Sequence, residues 1–171
     1  MEARYFNFTV HSASDLPDVR EFGRMKVYAK VSVAGTTKCT EVDTMNDTNP
    51  KWNTTLCFIV PEKDIIQGHM YCKIELFCKR TFSHDKYVGE LDLSLAPRYK
   101  GICTFPVLGN DLDQSKSIGT LKFSHALGDK LIVADSSSSS SSSSSLEDYD
   151  SVIRLIKGGV GLLNVKATAS N

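Results

Sequence analysis

The chain has 171 residues, with 20 basic and 20 acidic side chains, so its formal net charge is zero near neutral pH. This length fits one domain of ordinary size and a tail. A neutral chain has no general attraction for nucleic acid or for a strongly acidic partner, and neither is expected. An electrostatic function would therefore have to come from a local cluster of charges.

The cysteines and the N-terminus favour a cytosolic protein with reduced thiols. The five cysteines are an odd number without a CxxC pair, and the start, MEARYFNFTV, lacks the pattern of a signal peptide. Cys57 and Cys72 alternate with apolar neighbours and are predicted to be core residues. The four histidines show no zinc or nucleophile spacing, so we expect no metal site, no cofactor and no enzymatic activity.

Residues 1–135 have the alternating pattern of an all-β domain. Apolar and polar residues alternate over 6–10 and again over 27–33, as in half-buried strands. Turn residues such as Asn49-Pro50 and Gly128-Asp129 separate the runs. Seven or eight short strands with such turns indicate a β-sandwich. The further predicted strands are 36–42, 52–60, 70–77, 87–95, 102–107, 120–125 and 130–134.

The last part of the chain has a different composition. Ten consecutive serines occupy 136–145, and they predict a disordered linker over 136–147. The tail, 148–171, is apolar with three basic residues, and it could touch a membrane surface or dock on a partner. It is either native or a ligand peptide fused through the linker. The absence of a purification tag after it favours a native tail.

Several motifs resemble the C2 domain family. The stretch TNPKWN, 48–53, resembles the N-P-x-W-N signature of that family, in which the Trp starts a strand and packs on the core. SASDLPDVREFGRMKVYAKVSVAG resembles the first C2 loop with its strand, and IELFCKRTFSHDKYVGELDLSL resembles the third loop. FGRMKVY and GTLKFS resemble small plant C2 proteins of the cold-regulated and copine-associated type. The resemblance covers 1–134 and implies an eight-stranded antiparallel C2 β-sandwich.

The resemblance also locates the positions that bind calcium in many C2 domains. Calcium needs six to eight oxygen ligands, several of them carboxylates. None of the matching residues here is acidic, and four are cations. A shift of one residue in the third loop would put Asp85 at one position, but the cations would still oppose an ion. The resemblance thus implies calcium-independent binding. The matching residues are Arg20, Lys26, Cys78, Arg80 and Lys86.

The cations in these loops are candidates for binding anionic phospholipid, because guanidinium and ammonium groups recognise phosphate. Phe22 and Phe82 are candidates for insertion into the membrane interface. Asp18, Glu21 and Asp85 could neutralise part of the charge. The candidate lipid-binding residues are Arg20, Arg24, Lys26, Lys79, Arg80 and Lys86.

Two alternatives remain for the same loops: contact with a protein partner, such as a copine or a receptor-like protein, or a solvated surface without function. The lysine-rich strand face that some C2 domains use is not expected, because TTKCTEVDTM has one lysine and two acids. The resemblance implies a plant protein in stress or defence signalling. It also implies a location in the cytoplasm and at the plasma membrane, as a peripheral protein that recruits signalling components.

Overall fold

The computed structural model describes residues 1–95, 101–109 and 116–132. The predicted serine linker and tail, and the turn predicted at Ala96-Pro97, lie outside these residues. The described part contains eight strands and one short helix. The elements are β1 (Glu2–Ser14), β2 (Val27–Val33), β3 (Thr36–Cys39), β4 (Lys51–Pro61), α1 (Glu62–Ile66), β5 (Tyr71–Cys78), β6 (Lys86–Ser94), β7 (Ile102–Leu108) and β8 (Ser117–Ile132).

The strands form a β-sandwich, as predicted. All pairs are antiparallel, and the order is β3-β2-β5-β6-β7-β8-β1-β4. A single pair, Glu90 with Leu108, joins β6 to β7. The sheet folds over at this junction, and the outer strands meet on the other side. There the indole Nε1 of Trp52 in β4 donates a hydrogen bond to the carbonyl oxygen of Val27 in β2 (3.0 Å).

The core confirms the alternation read from the sequence. Phe6, Phe8 and Val10 of β1 are fully buried, and the inward residues of β2 are buried with them in one cluster. Burying one such side chain contributes roughly 1.5–3 kcal/mol, so a single continuous core accounts for the fold. Phe8 and Phe123 stack with ring centroids 5.0 Å apart, which joins β1 to β8 inside the core.

Three predictions about the strands were wrong. The runs 120–125 and 130–132 belong to one strand, β8, because Gly128-Asp129 is absorbed in a bulge opposite β1, where the register shifts. At Gly128 an added Cβ would lie 3.0 Å from the Cβ of Tyr5, so the close approach favours glycine. The strand predicted over 36–42 ends at Cys39. Cys57 points outward and is exposed, whereas Cys72 is buried as predicted.

Three loops lie together at one end of the sandwich, which we call the tip. Loop one (15–26) joins β1 to β2, loop two (40–50) joins β3 to β4, and loop three (79–85) joins β5 to β6. Every candidate binding residue lies in these loops except Lys86, the first residue of β6. The fold thus brings together side chains that are up to 66 positions apart, from Arg20 to Lys86.

Candidate functional site

Backbone pairing holds loops one and three side by side. Val27 and Cys78 are paired across β2 and β5, and just beyond them the N–H of Lys79 donates to the carbonyl oxygen of Lys26 (2.7 Å). Cys78 itself is buried, so it packs in the core and is not presented at the surface. The two loops therefore leave the sheet as neighbours, and their side chains share one surface.

Asp85 fixes loop three to β2. Its Oδ1 accepts the backbone N–H of Arg80 (3.0 Å), and its Oδ2 accepts the hydroxyl of Tyr28 (2.8 Å) and lies 3.4 Å from Nζ of Lys79. These donors lower the pKa of Asp85, above all the Arg80 N–H. Burial, together with the bond to Asp85, raises the pKa of Tyr28 to about 12, so its hydroxyl stays a donor at neutral pH. Both oxygens of this carboxylate are thus engaged within the protein.

Asp43 organises loop two. It is 9% exposed, and its carboxylate accepts hydrogen bonds from the N–H groups of Met45, Asn46 and Lys51 and from the side chain of Asn46, at 2.7–2.9 Å. Burial raises the pKa of Asp43, but these bonds outweigh it and hold the pKa below its ordinary value. Sequence reasoning missed this role of Asp43. The available signal was the tendency of an Asp in a turn to bond N–H groups two and three residues on.

Arg20 is engaged with two carboxylates. Its Nε donates to Oδ2 of Asp18 (2.8 Å), and its Nη1 lies 3.3 Å from Oδ2 of Asp47 in loop two. The other oxygen of Asp47 accepts the backbone N–H of Met25 (3.0 Å). The pair with Asp18 confirms the predicted local neutralisation, whereas sequence reasoning missed Asp47. Arg20 therefore links loop one to loop two.

Arg80 and Lys79 are also engaged. Nη2 of Arg80 lies 3.4 Å from Oε1 of Glu21 and donates to the carbonyl oxygen of Val19 (3.4 Å). Nζ of Lys79 lies 3.4 Å from Oδ2 of Asp85. These two ion pairs again match the predicted neutralisation. Arg80 connects loop three to loop one, just as Arg20 connects loop one to loop two.

The other three candidate cations differ from these. Arg24, Lys26 and Lys86 are exposed, and none has an ion pair or a side-chain hydrogen bond with any residue in 1–95, 101–109 or 116–132. Lys26 and Lys86 lie at the meeting point of loops one and three, because the carbonyl oxygen of Lys26 accepts the Lys79 N–H and Lys86 is paired with Cys78 across β5 and β6. Arg24 is two residues before Lys26 in loop one. Their charges are available to a ligand.

Two aromatic side chains project from the tip. Phe22 in loop one is 92% exposed and Phe82 in loop three is 101% exposed. Gly23, next to Phe22, has a φ of +73°, a left-handed conformation that favours glycine. Exposed aromatics beside exposed cations suit a surface in which an anionic outer layer covers an apolar interior.

Asp18 and Asp47 meet at the tip around the guanidinium of Arg20, which is ion-paired with both. Within the described part of the chain, no group of three or more His, Cys, Asp or Glu residues could hold a metal ion. The same residues contain no helix with the length and apolar character needed to cross a membrane. The tip therefore combines exposed cations and aromatics with ion pairs between its loops.

Comparison with known proteins agrees with this architecture. The family model described as "C2 domain" matches residues 4–118. The chain is 31% identical over 162 residues to "Protein SRC2 homolog" of Arabidopsis thaliana, covering 89% of this chain and 49% of that protein. It is 28% identical over 148 residues to "Protein SRC2" of Glycine max, covering 75% and 48%. The chain thus spans about half the length of the curated relatives it matches.

Among solved structures, the chain is similar to a C2 domain of plant Extended Synaptotagmin 1. The TM-score is 0.61 at 19% identity, and the match covers 72% of this chain and 93% of that domain. At this identity the likeness concerns the fold. The overall fold is thus shared with a solved C2 domain.

Proposed function

Because this chain belongs to the C2 domain family, whose members are membrane, lipid or protein-interaction modules, we propose that its tip binds anionic phospholipid membranes without calcium. The observation that carries the proposal is the combination of two highly exposed phenylalanines with three cations that have no ion pair among the residues the structure describes. The cations are Arg24, Lys26 and Lys86, and the aromatics are Phe22 and Phe82. In this proposal the domain has no catalytic role, and it recruits or regulates signalling components at the plasma membrane.

The proposed strength of binding follows from the number of free charges. A basic residue near an anionic membrane contributes about 1 kcal/mol, so three give about 3 kcal/mol. This is weak, reversible and sensitive to salt, because exposed charges are screened beyond about 10 Å at 0.1 M salt. Insertion of Phe22 would add apolar contact with the interface. The proposed binding is thus peripheral, and several contacts must act together.

Calcium independence is supported by the charges at the tip. Arg20 and Arg80 lie among the loop carboxylates and already neutralise Asp18, Asp47 and Glu21. A divalent ion placed 4 Å from one such cation would meet a repulsion of about 4 kcal/mol for each unit of its charge, at an effective dielectric of 20. In this proposal these three carboxylates therefore bind the protein's own arginines and are not available to a calcium ion.

Co-sedimentation with lipid vesicles tests the proposal. The full chain should pellet with phosphatidylserine-containing vesicles and stay in solution with phosphatidylcholine alone. Binding should be the same with calcium and with chelator, and it should fade as salt rises well above about 0.1 M, where the Debye length falls below about 10 Å. Absence of binding to anionic vesicles at low salt would refute lipid binding. A requirement for calcium would refute the mechanism.

A protein-binding adaptor is the second candidate, and the paired charges favour it. Three of the six candidate cations have carboxylate partners, so the tip is less basic than its sequence suggests. A mixed polar rim around exposed aromatics is also typical of protein interfaces. The adaptor function would be supported if the full chain fails to bind vesicles and the Phe22→Ala variant loses a protein partner captured by the wild type. The relatives named above are plant proteins. The role in stress or defence signalling that we expect from the sequence stays part of the same proposal.

A further inference from the structure

The six basic residues of the tip fall into two groups by exposure and by contact. The side chains of Arg20 and Arg80 are only 29% and 26% exposed, and both fold back onto neighbouring loops. The side chain of Lys79 is 54% exposed and lies near Asp85. Arg24 and Lys26, by contrast, are exposed and have no partner within the described residues. The basic residues of the tip therefore differ in how available their charges are to a ligand.

The two arginines tether the two residues that directly precede one exposed residue, Phe22. Arg20 ties the backbone just before Phe22 to loop two through Asp47, and Arg80 ties the adjacent Glu21 to loop three. Phe22 follows these two tethered positions directly and is 92% exposed. A fully exposed phenylalanine on an untethered loop would sample many positions. Here the two residues before Phe22 are linked by ion pairs to loop two and to loop three.

We infer that Arg20 and Arg80 are positioning residues that hold Phe22 at the apex of the tip, and that Arg24, Lys26 and Lys86 contact the lipid phosphates. This inference rests on the proposed membrane function. The arginines contribute planar, multiply bonded guanidinium groups, which suit a fixed bridge between loops. Their charges are already offset by the carboxylates of Asp18, Asp47 and Glu21, so they add little attraction for an anionic surface.

Substitution of Asp47 separates the two roles, because they predict opposite effects. Asp47→Asn removes the ion pair with Arg20 but keeps an oxygen for the Met25 N–H, and asparagine tolerates the φ of +55° at this position. If Arg20 contacts lipid, losing this anion leaves Asp18 as its remaining ion-pair partner and adds one net positive charge at the tip, so binding should strengthen about fivefold. If Arg20 positions Phe22, binding should stay equal or weaken. A fivefold gain would overturn the inference.

Asp15 offers a matched control in the same set of loops. It also has a left-handed φ, +57°, and its side chain has no hydrogen bond or ion pair within the described part of the chain. Asp15→Asn therefore removes one anionic charge without breaking a bridge, and it should strengthen binding to anionic vesicles. Equal gains in Asp15→Asn and Asp47→Asn would mean that the Arg20 bridge has no positioning role.

Charge-conserving substitutions give a second test. Arg24→Lys should recover the binding that Arg24→Gln loses, because only its charge is used. Arg20→Lys and Arg80→Lys should weaken binding as much as Arg20→Gln and Arg80→Gln, because lysine cannot form the same bridge. The salt dependence of binding should flatten in Arg24→Gln and stay unchanged in Arg20→Gln. Recovery of binding in Arg20→Lys would overturn the inference.

A measurement without lipid keeps this inference separate from the proposed function. Amide hydrogen exchange over residues 19–23 should be faster in Arg20→Gln and Arg80→Gln than in the wild type, while Arg24→Gln leaves it unchanged. Exchange in β1 and β2 serves as the control for intact folding. If the wild type fails to bind vesicles, the membrane function is refuted, and this exchange experiment still tests the bridges. Unchanged exchange in both variants would refute them.

Discussion

The tip and the outer face of the β2-β5-β6 strands both carry basic residues, but of these two regions, as far as the structure describes them, the tip alone has cations without an ion pair. On the sheet face, Nζ of Lys30 lies 3.2 Å from Oε2 of Glu75, and Nζ of Lys73 lies 2.9 Å from Oε2 of Glu90. Neighbouring strands place side chains about 5 Å apart, so a charge on a strand meets an opposite charge easily. Residues that flank a loop have fewer such neighbours, and their charge remains available.

Lys38 extends this comparison to the edge strand. Its Nζ lies 5.8 Å from the centroid of the Phe58 ring, so it turns toward β4 and does not stand on the outer face. A lysine-rich binding face, which the sequence did not predict, needs lysines whose charges are not already engaged. On β2, β3 and β5, Lys30, Lys38 and Lys73 each contact a neighbouring side chain. Whether a charge is available to a ligand therefore depends on its neighbours in the fold, and a count of basic residues in the sequence overestimates the binding surface.

The largest expected effect is the loss of vesicle binding when two exposed lysines of the tip are replaced, compared with two lysines of the sheet face. Lys26→Gln/Lys86→Gln should weaken binding to anionic vesicles about 30-fold, since two free charges near the membrane contribute about 2 kcal/mol. Lys30→Gln/Lys73→Gln removes the same charge from the sheet face and should change binding by less than about twofold. Equilibrium binding to phosphatidylserine-containing vesicles measures both. Equal losses would show that the whole molecule's charge matters and that the tip is not special.

A smaller effect is expected from the aromatic apex. Phe22→Ala should weaken vesicle binding about fivefold, because a partly inserted phenylalanine gives up a fraction of its transfer free energy, and it should leave the unfolding temperature unchanged. Tyr71 is a matched exposed aromatic, 68% exposed, at the start of β5 and so at the opposite end of the sandwich. Tyr71→Ala should not alter binding. A comparable loss of binding in Tyr71→Ala would contradict the proposal that the domain contacts the membrane with its tip.

The sequence predicted the fold well because burial follows a simple period. Inward residues alternate strictly in β2 and over residues 6–10 of β1, and the Trp52 motif marks the start of β4. The sequence wrongly predicted a turn at Gly128-Asp129. A turn and a bulge use the same residue types, and only the register of β8 against β1 distinguishes them. At the tip, pairs between near neighbours, such as Arg20 with Asp18, could be anticipated. The bridge from Arg20 to Asp47 depends on which loops meet in space, and the sequence pattern carries no sign of it.

The smallest expected effect concerns the carboxylate that supports loop two, and it appears only in acid. The folded-state pKa of Asp43 is lowered, so its ionised form stabilises the fold above the ordinary aspartate pKa of about 4. This contribution is lost as the pH falls through the lower, folded-state value. Thermal unfolding of the wild type should therefore shift to lower temperature below about pH 4, and Asp43→Asn should flatten that dependence.

Asp85→Asn gives the comparison for this last prediction. Asp85 also has a lowered pKa, but it is less buried than Asp43 and accepts fewer hydrogen bonds, so its variant should flatten the acid dependence less. Melting temperatures measured from about pH 7 to about pH 3 in both variants would show which substitution flattens the acid dependence more. A larger change in Asp85→Asn would mean that the link from loop three to Tyr28, and not the turn around Asp43, is the main support of the tip. The free cations would then depend on loop three for their position.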